Sequence, residues 1–147
     1  MRLAAKIVPA VRLAAVVAFA FLANSAFAQP YSYVTPADLK QQIESGKAPM
    51  ILDIQVEGDY AKNHLPGAVP TYAYPAKSDA ERAKLKPALD KILASKDEVV
   101  IVCPGGKSGA ENTWAYLKQN GVAESRMKIL ENGQKGWPYS NLVQKGN

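Results

Sequence analysis

Residues 98–110 read Glu98-Val99-Val100-Ile101-Val102-Cys103-Pro104-Gly105-Gly106-Lys107-Ser108-Gly109-Ala110. The four β-branched apolar residues before the cysteine predict a strand that is buried on both faces, as in the interior of a parallel sheet. A glycine-rich turn follows, and residues 110–118 are then predicted to form a helix. We therefore expect the Cys103 thiol in a strand-to-helix turn, where α/β proteins place their chemistry.

Predicted strands and helices alternate on both sides of this stretch. The predicted strands cover residues 31–34, 50–54, 68–74, 99–102 and 127–130. The predicted helices cover residues 36–45, 59–64, 79–93 and 110–118, with a short terminal helix that starts at 136–138. This alternation predicts the α/β class, with a five-stranded, mostly parallel sheet and helices on both of its faces.

Local signals fix several of the predicted boundaries. Thr35 is expected to cap the first helix, with Pro36 in its first turn. The segment Ser78-Asp79-Ala80-Glu81 has the form of a capping box. Pro87 falls inside the helical pattern that follows, so either that helix kinks or two short helices abut. Pro70 removes a backbone donor, which predicts a weak strand at the edge of the sheet.

The first 28 residues are expected to be a cleaved export signal. Residues 1–12 carry three basic and no acidic residues, and residues 13–22 are continuously apolar. Ala26-Phe27-Ala28 matches the small-x-small pattern that signal peptidase accepts. An uncleaved anchor is the alternative, but the apolar run is shorter than the roughly 20 residues that span a bilayer. We expect cleavage after Ala28, a single domain at 29–147, a periplasmic or secreted location and no stable membrane anchor.

Charge and composition exclude several kinds of partner. Without the three basic residues of the signal, 15 basic residues face 13 acidic ones, and the formal net charge falls from +5 to +2. No basic run is interleaved with aromatic residues, so nucleic acid is not an expected partner. One cysteine and one histidine are too few for a zinc site. The segment 105–108 lacks the opening glycine of a Walker loop. We expect no metal and no cofactor.

The single cysteine has a structural and a functional interpretation. Cys103 cannot form an intrachain disulfide, and in an oxidising compartment a lone thiol is prone to oxidation. It could be an inert buried thiol that packs as a small apolar residue. However, it follows a strand and precedes a glycine-rich helix start, and a helix N-terminus lowers a thiol pKa from about 8.5. This context favours a nucleophile.

The loop after Cys103 can turn several amides toward one point. N–H groups are available at Gly105, Gly106, Lys107, Ser108 and Gly109, whereas Pro104 has none. The glycines permit the backbone angles of an anion-binding nest, which would stabilise a thiolate, a persulfide or an anionic donor. Lys107 could add a positive charge or be an ordinary surface lysine. Ser108 could contact substrate or cap the following helix.

Two further groups of motifs accompany this loop. A strand with an acid, Ile51-Leu52-Asp53-Ile54, is followed by the turn His64-Leu65-Pro66-Gly67-Ala68. Ile129-Leu130-Glu131-Asn132-Gly133 and Gly136-Trp137 come after the loop. Together with residues 99–108, and in this order, these motifs resemble the rhodanese-like family of single-domain sulfurtransferases.

The resemblance implies a rhodanese-like three-layer fold and a persulfide relay. Cys103 would be the catalytic residue. The substrate- and anion-binding loop would consist of Pro104, Gly105, Gly106, Lys107, Ser108 and Gly109. The thiol would take the outer sulfur of a small anionic donor such as thiosulfate and pass it to a thiol or cyanide acceptor, which splits one transfer into two steps. A protein sulfur acceptor is a further implied partner.

The chain departs from the family pattern at three places. Gln55 stands where the family usually has an arginine two residues after its aspartate, so we expect a structural ion pair to be lost. Asn63 precedes His64 where a glycine is usual, and His64 is expected to stabilise its turn rather than act as a base. Ser108 stands where many members end the loop with an arginine, so Lys107 must supply the charge without a bidentate fork.

Two other functions compete with sulfur transfer. A cysteine phosphatase or arsenate reductase needs a loop one residue longer that closes with an arginine, and the nearest downstream arginine is Arg126, beyond the next helix. The other is a sulfur or chalcogen carrier, or an interaction module, that does not turn over small molecules. A docking surface of Tyr72, Tyr74, Trp137 and Tyr139 is conceivable, although such aromatic residues more often pack.

Overall fold

The computed structural model describes residues 30–146, and the expected export signal with its cleavage site lies outside the described residues. The strands are β1 (Tyr33–Val34), β2 (Met50–Asp53), β3 (Val69–Pro70), β4 (Val99–Val102) and β5 (Met127–Leu130). They form one sheet in the order β1-β5-β4-β2-β3, and the pairing is parallel throughout. This sheet confirms the predicted fold class.

The connections between the strands are helical. The helices are α1 (Pro36–Glu44), α2 (Glu57–Lys62), α3 (Asp79–Ala83), α4 (Lys86–Ala94) and α5 (Ser108–Gln119). Single turns of 3₁₀-helix cover Glu124–Arg126, Gln134–Gly136 and Ser140–Leu142. Within residues 30–146, no helix has the length and apolarity needed to cross a membrane.

Two apolar layers cover the sheet, one on each face. In the central strand β4, Val99 and Ile101 pack into one layer, and Val100 and Val102 into the other. The first layer includes side chains of α4 and α5, such as Ile92 and Leu117, and the second includes Leu39 of α1. Because successive residues of a strand point to opposite faces, a strand covered on both sides must be apolar at every position. The four-residue apolar run therefore marks the centre of the sheet.

Most of the predicted boundary signals act as expected. The Thr35 side chain accepts a hydrogen bond from the Asp38 backbone N–H, and Ser78 and Glu81 form both halves of the capping box. Of the two alternatives at Pro87, the structure has two abutting helices, α3 and α4. Pro87 lies in the first turn of α4, where no backbone donor is needed.

Two element predictions are wrong in extent. The strand expected at 68–74 is reduced to β3, because Tyr72 has a positive φ of 56° that takes the backbone out of extended pairing. The short terminal helix expected from 136–138 is replaced by the 3₁₀ turns at 134–136 and 140–142. Pro138 separates these turns, and the residue before a proline is disfavoured in helical conformation.

The loops that follow β4 and β5 are held together by backbone contacts. The Gln134 N–H donates to the Cys103 carbonyl oxygen (2.9 Å), and the Lys135 N–H donates to the Pro104 carbonyl oxygen (3.0 Å). Gly106 and Gly133 face each other with φ angles of 66° and 59°. A Cβ atom on Gly133 would overlap the Cys103 carbonyl oxygen and lie 2.8 Å from the Gly105 nitrogen. The contact therefore requires a glycine.

Asp53 at the end of β2 is a fully buried carboxyl group. It accepts hydrogen bonds from the Gln55 backbone N–H (2.8 Å) and from Gln55 Nε2 (3.0 Å). A neutral amide thus stands where the family resemblance places an arginine. Burial raises the pKa of Asp53 from 3.8 to about 6, and the Gln55 hydrogen bonds and the charge of His64 oppose this rise only in part.

Gly133→Ala should destabilise the protein far more than the same change at Gly67, a positive-φ glycine with open space around it. We expect a loss of at least about 3 kcal/mol in the free energy of unfolding, because backbone strain adds to the overlap with Cys103. Gly67→Ala is the matched control, since Gly67 has a φ of 73° and nothing within 4 Å of the added Cβ, and it should cost about 1 kcal/mol. Urea unfolding measures both. Equal losses would show that the contact between the two loops is not tight.

Asp53 should make the folded state less stable as the pH rises through 6. A buried acid with a raised pKa stabilises the fold when it is protonated, and this contribution, present below about 3.8, is lost once the folded-state carboxyl ionises. The difference between the two pKa values corresponds to about 3 kcal/mol. The stability of Asp53→Asn relative to wild type should therefore be higher at pH 7 than at pH 4. Parallel stability curves for the two proteins between pH 4 and pH 7 would contradict this.

Candidate active site

Cys103 follows β4 directly and lies at the carboxyl edge of the sheet. Its side chain is 1% exposed, and the Gly106 N–H donates a hydrogen bond to Sγ (3.0 Å). The thiol is therefore buried, and a backbone donor points at its sulfur.

A cavity of about 230 Å³ opens in front of the thiol. Five of the six predicted loop residues line it together with Cys103: Pro104, Gly105, Lys107, Ser108 and Gly109. Tyr74 forms part of its wall and is 38% exposed. A cavity of this size suits a small inorganic anion better than the drug-sized ligands that occupy sites of about 300–1,000 Å³.

The loop differs from the predicted amide nest in its details. Of the five backbone N–H groups predicted to form the nest, the one that donates to Sγ is that of Gly106. Gly106 is also the one of these five residues that does not line the cavity. Gly109 lies inside the first turn of α5, where an added Cβ would come within 2.8 Å of the Tyr74 ring. Ser108 is the first residue of α5, and the capping position falls on Lys107 instead, so Ser108 is not the N-cap. The helix starts one residue earlier than a Ser108 cap would allow.

Lys135 is a second lysine at this cavity, and it was not among the predicted site residues. Its backbone hydrogen bond to Pro104 brings it beside the loop from a segment about 30 residues away. Lys107 and Lys135 are both exposed, and neither forms an ion pair with any residue in the described part of the chain. Adjacent parallel strands end at the same edge of the sheet. The prediction of β5 as a strand of the same sheet as β4 was therefore a signal that residues after β5, such as Lys135, could lie at the Cys103 loop.

A larger cavity of about 360 Å³ lies next to the first and shares Pro104 and Lys135 with it. Its other polar lining residues come from α2, its flanks and the segment after β5: Gln55, Asp59, Lys62, Asn63, Gln134 and Ser140. The indole of Trp137 forms an apolar part of its wall. A further cavity, also of about 360 Å³, shares Gly105 and Lys107 with the Cys103 cavity and has Glu111 and Glu131 in its lining. The Cys103 cavity thus adjoins two larger cavities at the carboxyl edge of the sheet.

His64 has a structural role, as expected. Its ring is 6% exposed, stacks on the Tyr60 ring at 3.8 Å between centroids, and places Nδ1 2.9 Å from the Tyr60 carbonyl oxygen. Its backbone pairs with Gln144 through two hydrogen bonds. His64 therefore ties the C-terminal segment to the end of α2, and it does not line the cavity that contains Cys103.

The four aromatic residues considered as a docking surface do not act as one group. Trp137 is 9% exposed and donates a hydrogen bond from its indole N–H to the Tyr139 carbonyl oxygen. Tyr72 makes an edge contact with Tyr60. Only Tyr74 is exposed at the Cys103 cavity. Packing is thus the better interpretation for the other three.

Both arginines of the described chain are engaged elsewhere. Arg126 donates to the carbonyl oxygens of Ile92 and Asp97, each at 3.0 Å, and Arg82 donates to that of Ala76 (3.2 Å). Lysines therefore provide the positive charge at the Cys103 cavity. Over residues 30–146, no three or more His, Cys, Asp or Glu side chains are grouped as metal ligands would be.

Several solved structures share the fold. A yeast protein tyrosine phosphatase of the Rhodanese family has a TM-score of 0.62 at 14% identity, with 81% of this chain and 95% of that chain covered. A rhodanese-like domain protein from Staphylococcus aureus has a TM-score of 0.57 at 21% identity, with coverage of 79% and 99%. A thiosulfate sulfurtransferase from Pseudomonas aeruginosa also has a TM-score of 0.57 at 21% identity, with 79% of this chain but 20% of that chain covered. At these identities the likeness concerns the fold alone.

No curated protein sequence is similar enough to count as a match. The sequence profile of the family described as Rhodanese-like domain matches residues 35–139, which is well over half of the 147 residues. The match spans every strand from β2 to β5 and the whole Cys103 loop. The chain therefore belongs to the family of rhodanese-like domains.

Proposed function

We propose that the protein is a sulfurtransferase that carries sulfane sulfur on Cys103. The observation that supports this best is the 230 Å³ cavity, which combines a buried thiol, a backbone N–H directed at its sulfur and two lysines without ion-pair partners in the described chain. Unpaired positive charge beside a small cavity attracts an anion. The thiol at the base of the cavity then meets the anion's outer atom.

The proposed reaction has two displacement steps. The Cys103 thiolate attacks the outer sulfur of thiosulfate, a new S–S bond forms, and the S–S bond of the donor breaks as sulfite leaves with the electron pair. An acceptor thiolate or cyanide then attacks the outer sulfur of the persulfide, and the Cys103 thiolate is the leaving group. No oxidant or reductant is consumed, and covalent catalysis divides one transfer into two steps.

The proposed roles are those that the sequence pattern and the family resemblance predict, with one addition. Cys103 is the catalytic residue, residues 104–109 bind the anion, and Lys135 joins Lys107 as a source of positive charge. Family membership supports this assignment, and the fold is shared with a thiosulfate sulfurtransferase from Pseudomonas aeruginosa. We also propose export to the periplasm or the exterior, on the basis of the sequence pattern in residues 1–28.

Phosphate-ester chemistry is the competing assignment, because a yeast neighbour is described as a protein tyrosine phosphatase. A bidentate guanidinium is the side chain that best grips the oxygens of a tetrahedral phosphate. Arg82 and Arg126, the two arginines of the described chain, are held by carbonyl oxygens away from the loop. The absence of an arginine from residues 103–109 therefore favours attack on sulfur.

Incubation with thiosulfate should add one sulfur atom to Cys103. Intact-mass spectrometry of the protein should show this addition in wild type and not in Cys103→Ser, and cyanide should remove it with formation of thiocyanate. Cys103→Ser should keep the far-ultraviolet circular dichroism of wild type, because the oxygen replaces a similarly small buried atom. Turnover beyond one equivalent distinguishes an enzyme from a carrier. An unmodified thiol that nonetheless alkylates readily would overturn the thiosulfate assignment.

Lys107→Ala and Lys135→Ala should each lower kcat/KM for thiosulfate by about 3- to 10-fold, and the double variant should lower it further. The loss should be smaller for a singly charged alkanethiosulfonate, because less negative charge then interacts with each lysine. Steady-state kinetics at low ionic strength measures both donors, since salt screens exposed charges. Lys96→Ala, at an exposed position after α4, is the control. Equal losses for the two donors would remove the lysines from anion binding.

A further inference from the structure

We propose that the 360 Å³ cavity lined by Gln134 and Trp137 is the acceptor site, and that it binds a small thiol with an α-amino-acid head group, such as cysteine or a short cysteine peptide. This inference rests on the proposed sulfur transfer and adds a substrate class and a location to it. The cavity is separate from the one that contains Cys103, but Pro104 and Lys135 border both. A molecule bound there would therefore have one end beside the loop that carries the persulfide.

The charges that line the cavity match a zwitterion. Asp59 and Lys62, which both line the cavity, form an ion pair of 2.9 Å. The Asp59 side chain is 45% exposed and the Lys62 side chain is 74% exposed. Lys135 adds a positive charge on the side shared with the Cys103 cavity. An ammonium group can approach Asp59 while a carboxylate approaches a lysine, so both ends of an amino-acid head group find a partner. A simple inorganic anion would leave Asp59 as a repelling charge.

The neutral part of the lining matches an amide or carboxylate. Asn63 and Gln134 bring two side-chain amides, which can both donate and accept hydrogen bonds, whereas Gln55 donates its Nε2 hydrogens to Asp53 and to the Asn63 carbonyl oxygen and leaves only its own oxygen as an acceptor. Gln134 is 6% exposed, and its Oε1 is buried without a hydrogen-bond partner in the described chain. A buried amide oxygen without a partner is costly, and a bound donor such as an ammonium or amide N–H would satisfy it.

The size of the cavity agrees with this class of ligand. At about 360 Å³ it is larger than cyanide or thiosulfate requires, and it falls within the range of small-molecule sites. Trp137 gives it one flat apolar wall, against which a methylene chain can pack. The sulfur of the acceptor would then be the part that reaches the boundary at Pro104 and Lys135.

Binding can be measured without any sulfur transfer. The unreactive analogue S-methyl-L-cysteine should shift the NMR signal of the Trp137 indole N–H in the full protein. The indole N–H of Trp114, which packs in the layer on the other face of the sheet, is an internal reference and should not move. If Trp137 does not respond at concentrations that saturate discharge by cysteine, the cavity is not the acceptor site.

The transfer itself is tested on protein already loaded with sulfur by thiosulfate. Discharge, the removal of the outer sulfur from the Cys103 persulfide, should be compared for four thiols. Cysteine carries both the ammonium and the carboxylate group, cysteamine only the ammonium, 3-mercaptopropionate only the carboxylate, and 2-mercaptoethanol neither. Discharge by cysteine should saturate and should be inhibited by S-methyl-L-cysteine, whereas discharge by 2-mercaptoethanol should rise linearly with concentration. Linear, uninhibited discharge by cysteine would overturn the proposal.

The amide of Gln134 gives a specific variant. Gln134→Met should lower the ratio of cysteine discharge to cyanide discharge about 5- to 10-fold, because a hydrogen-bonding group is lost at nearly constant volume. Gln42→Met is the matched control, since Gln42 on α1 also has a buried Oε1 without a partner in the described chain but lies outside the cavity. An unchanged ratio in Gln134→Met, or an equal fall in both variants, would contradict the proposal.

The two proposals fail in different ways. If thiosulfate does not load Cys103, sulfur transfer from that donor is wrong, while a shift of the Trp137 signal by S-methyl-L-cysteine would still show a head-group site. If loading and cyanide discharge are normal but no thiol shows saturation, sulfur transfer stands and the acceptor site is refuted.

Discussion

The site depends on the backbone contact between the loops that follow β4 and β5. Two hydrogen bonds join Gln134 to the Cys103 carbonyl and Lys135 to the Pro104 carbonyl, and Gly133 packs against the loop where no side chain fits. Backbone hydrogen bonds do not vary with side-chain rotamer, so they hold the loop more rigidly than surface ion pairs could. The Gly106 amide is thereby directed at Sγ before any ligand binds, and the proposed sulfur transfer would use this preorganised dipole.

The same contact explains why the Cys103 cavity adjoins the cavity lined by Trp137. The segment after β5 makes this contact and then continues to Trp137. A single stretch of chain therefore supplies Lys135 to both the Cys103 cavity and the cavity lined by Trp137, and Gln134 to the latter. On the opposite side, β2 ends at Asp53, and Gln55 follows two residues later. The Gln55 amide links the buried carboxyl group to the cavity wall. An arginine at position 55 would bring a fixed positive charge to this wall. The neutral amide leaves the charge balance there to Asp59 and the lysines.

The sequence predicted the centre of this structure better than its periphery. An uninterrupted apolar run and a following glycine-rich turn suffice to place β4, the Cys103 loop and α5, because local hydrophobic pattern and turn chemistry act together there. Lys135 and the larger cavity could not be found in this way, since they arise from contacts between segments distant in sequence. The end of β3 was missed because the positive φ of Tyr72 is set by tertiary packing and not by residue type. The 3₁₀ turns near the C-terminus likewise lack a periodic pattern long enough to recognise.

The choice of lysines over an arginine is consistent with the proposed transfer. An arginine fork fixes the orientation of a tetrahedral group, which phosphoryl chemistry needs in its transition state, whereas lysine is a mobile point charge. In sulfur transfer the negative charge stays on sulfur throughout, on the thiolate before the first step and on the persulfide after it. A fixed backbone amide near Sγ and two exposed lysines in the cavity lining can serve both the thiolate and the persulfide without rearrangement of the loop. The flexible part of the site then follows the ligand, while the part joined to the sheet stays fixed.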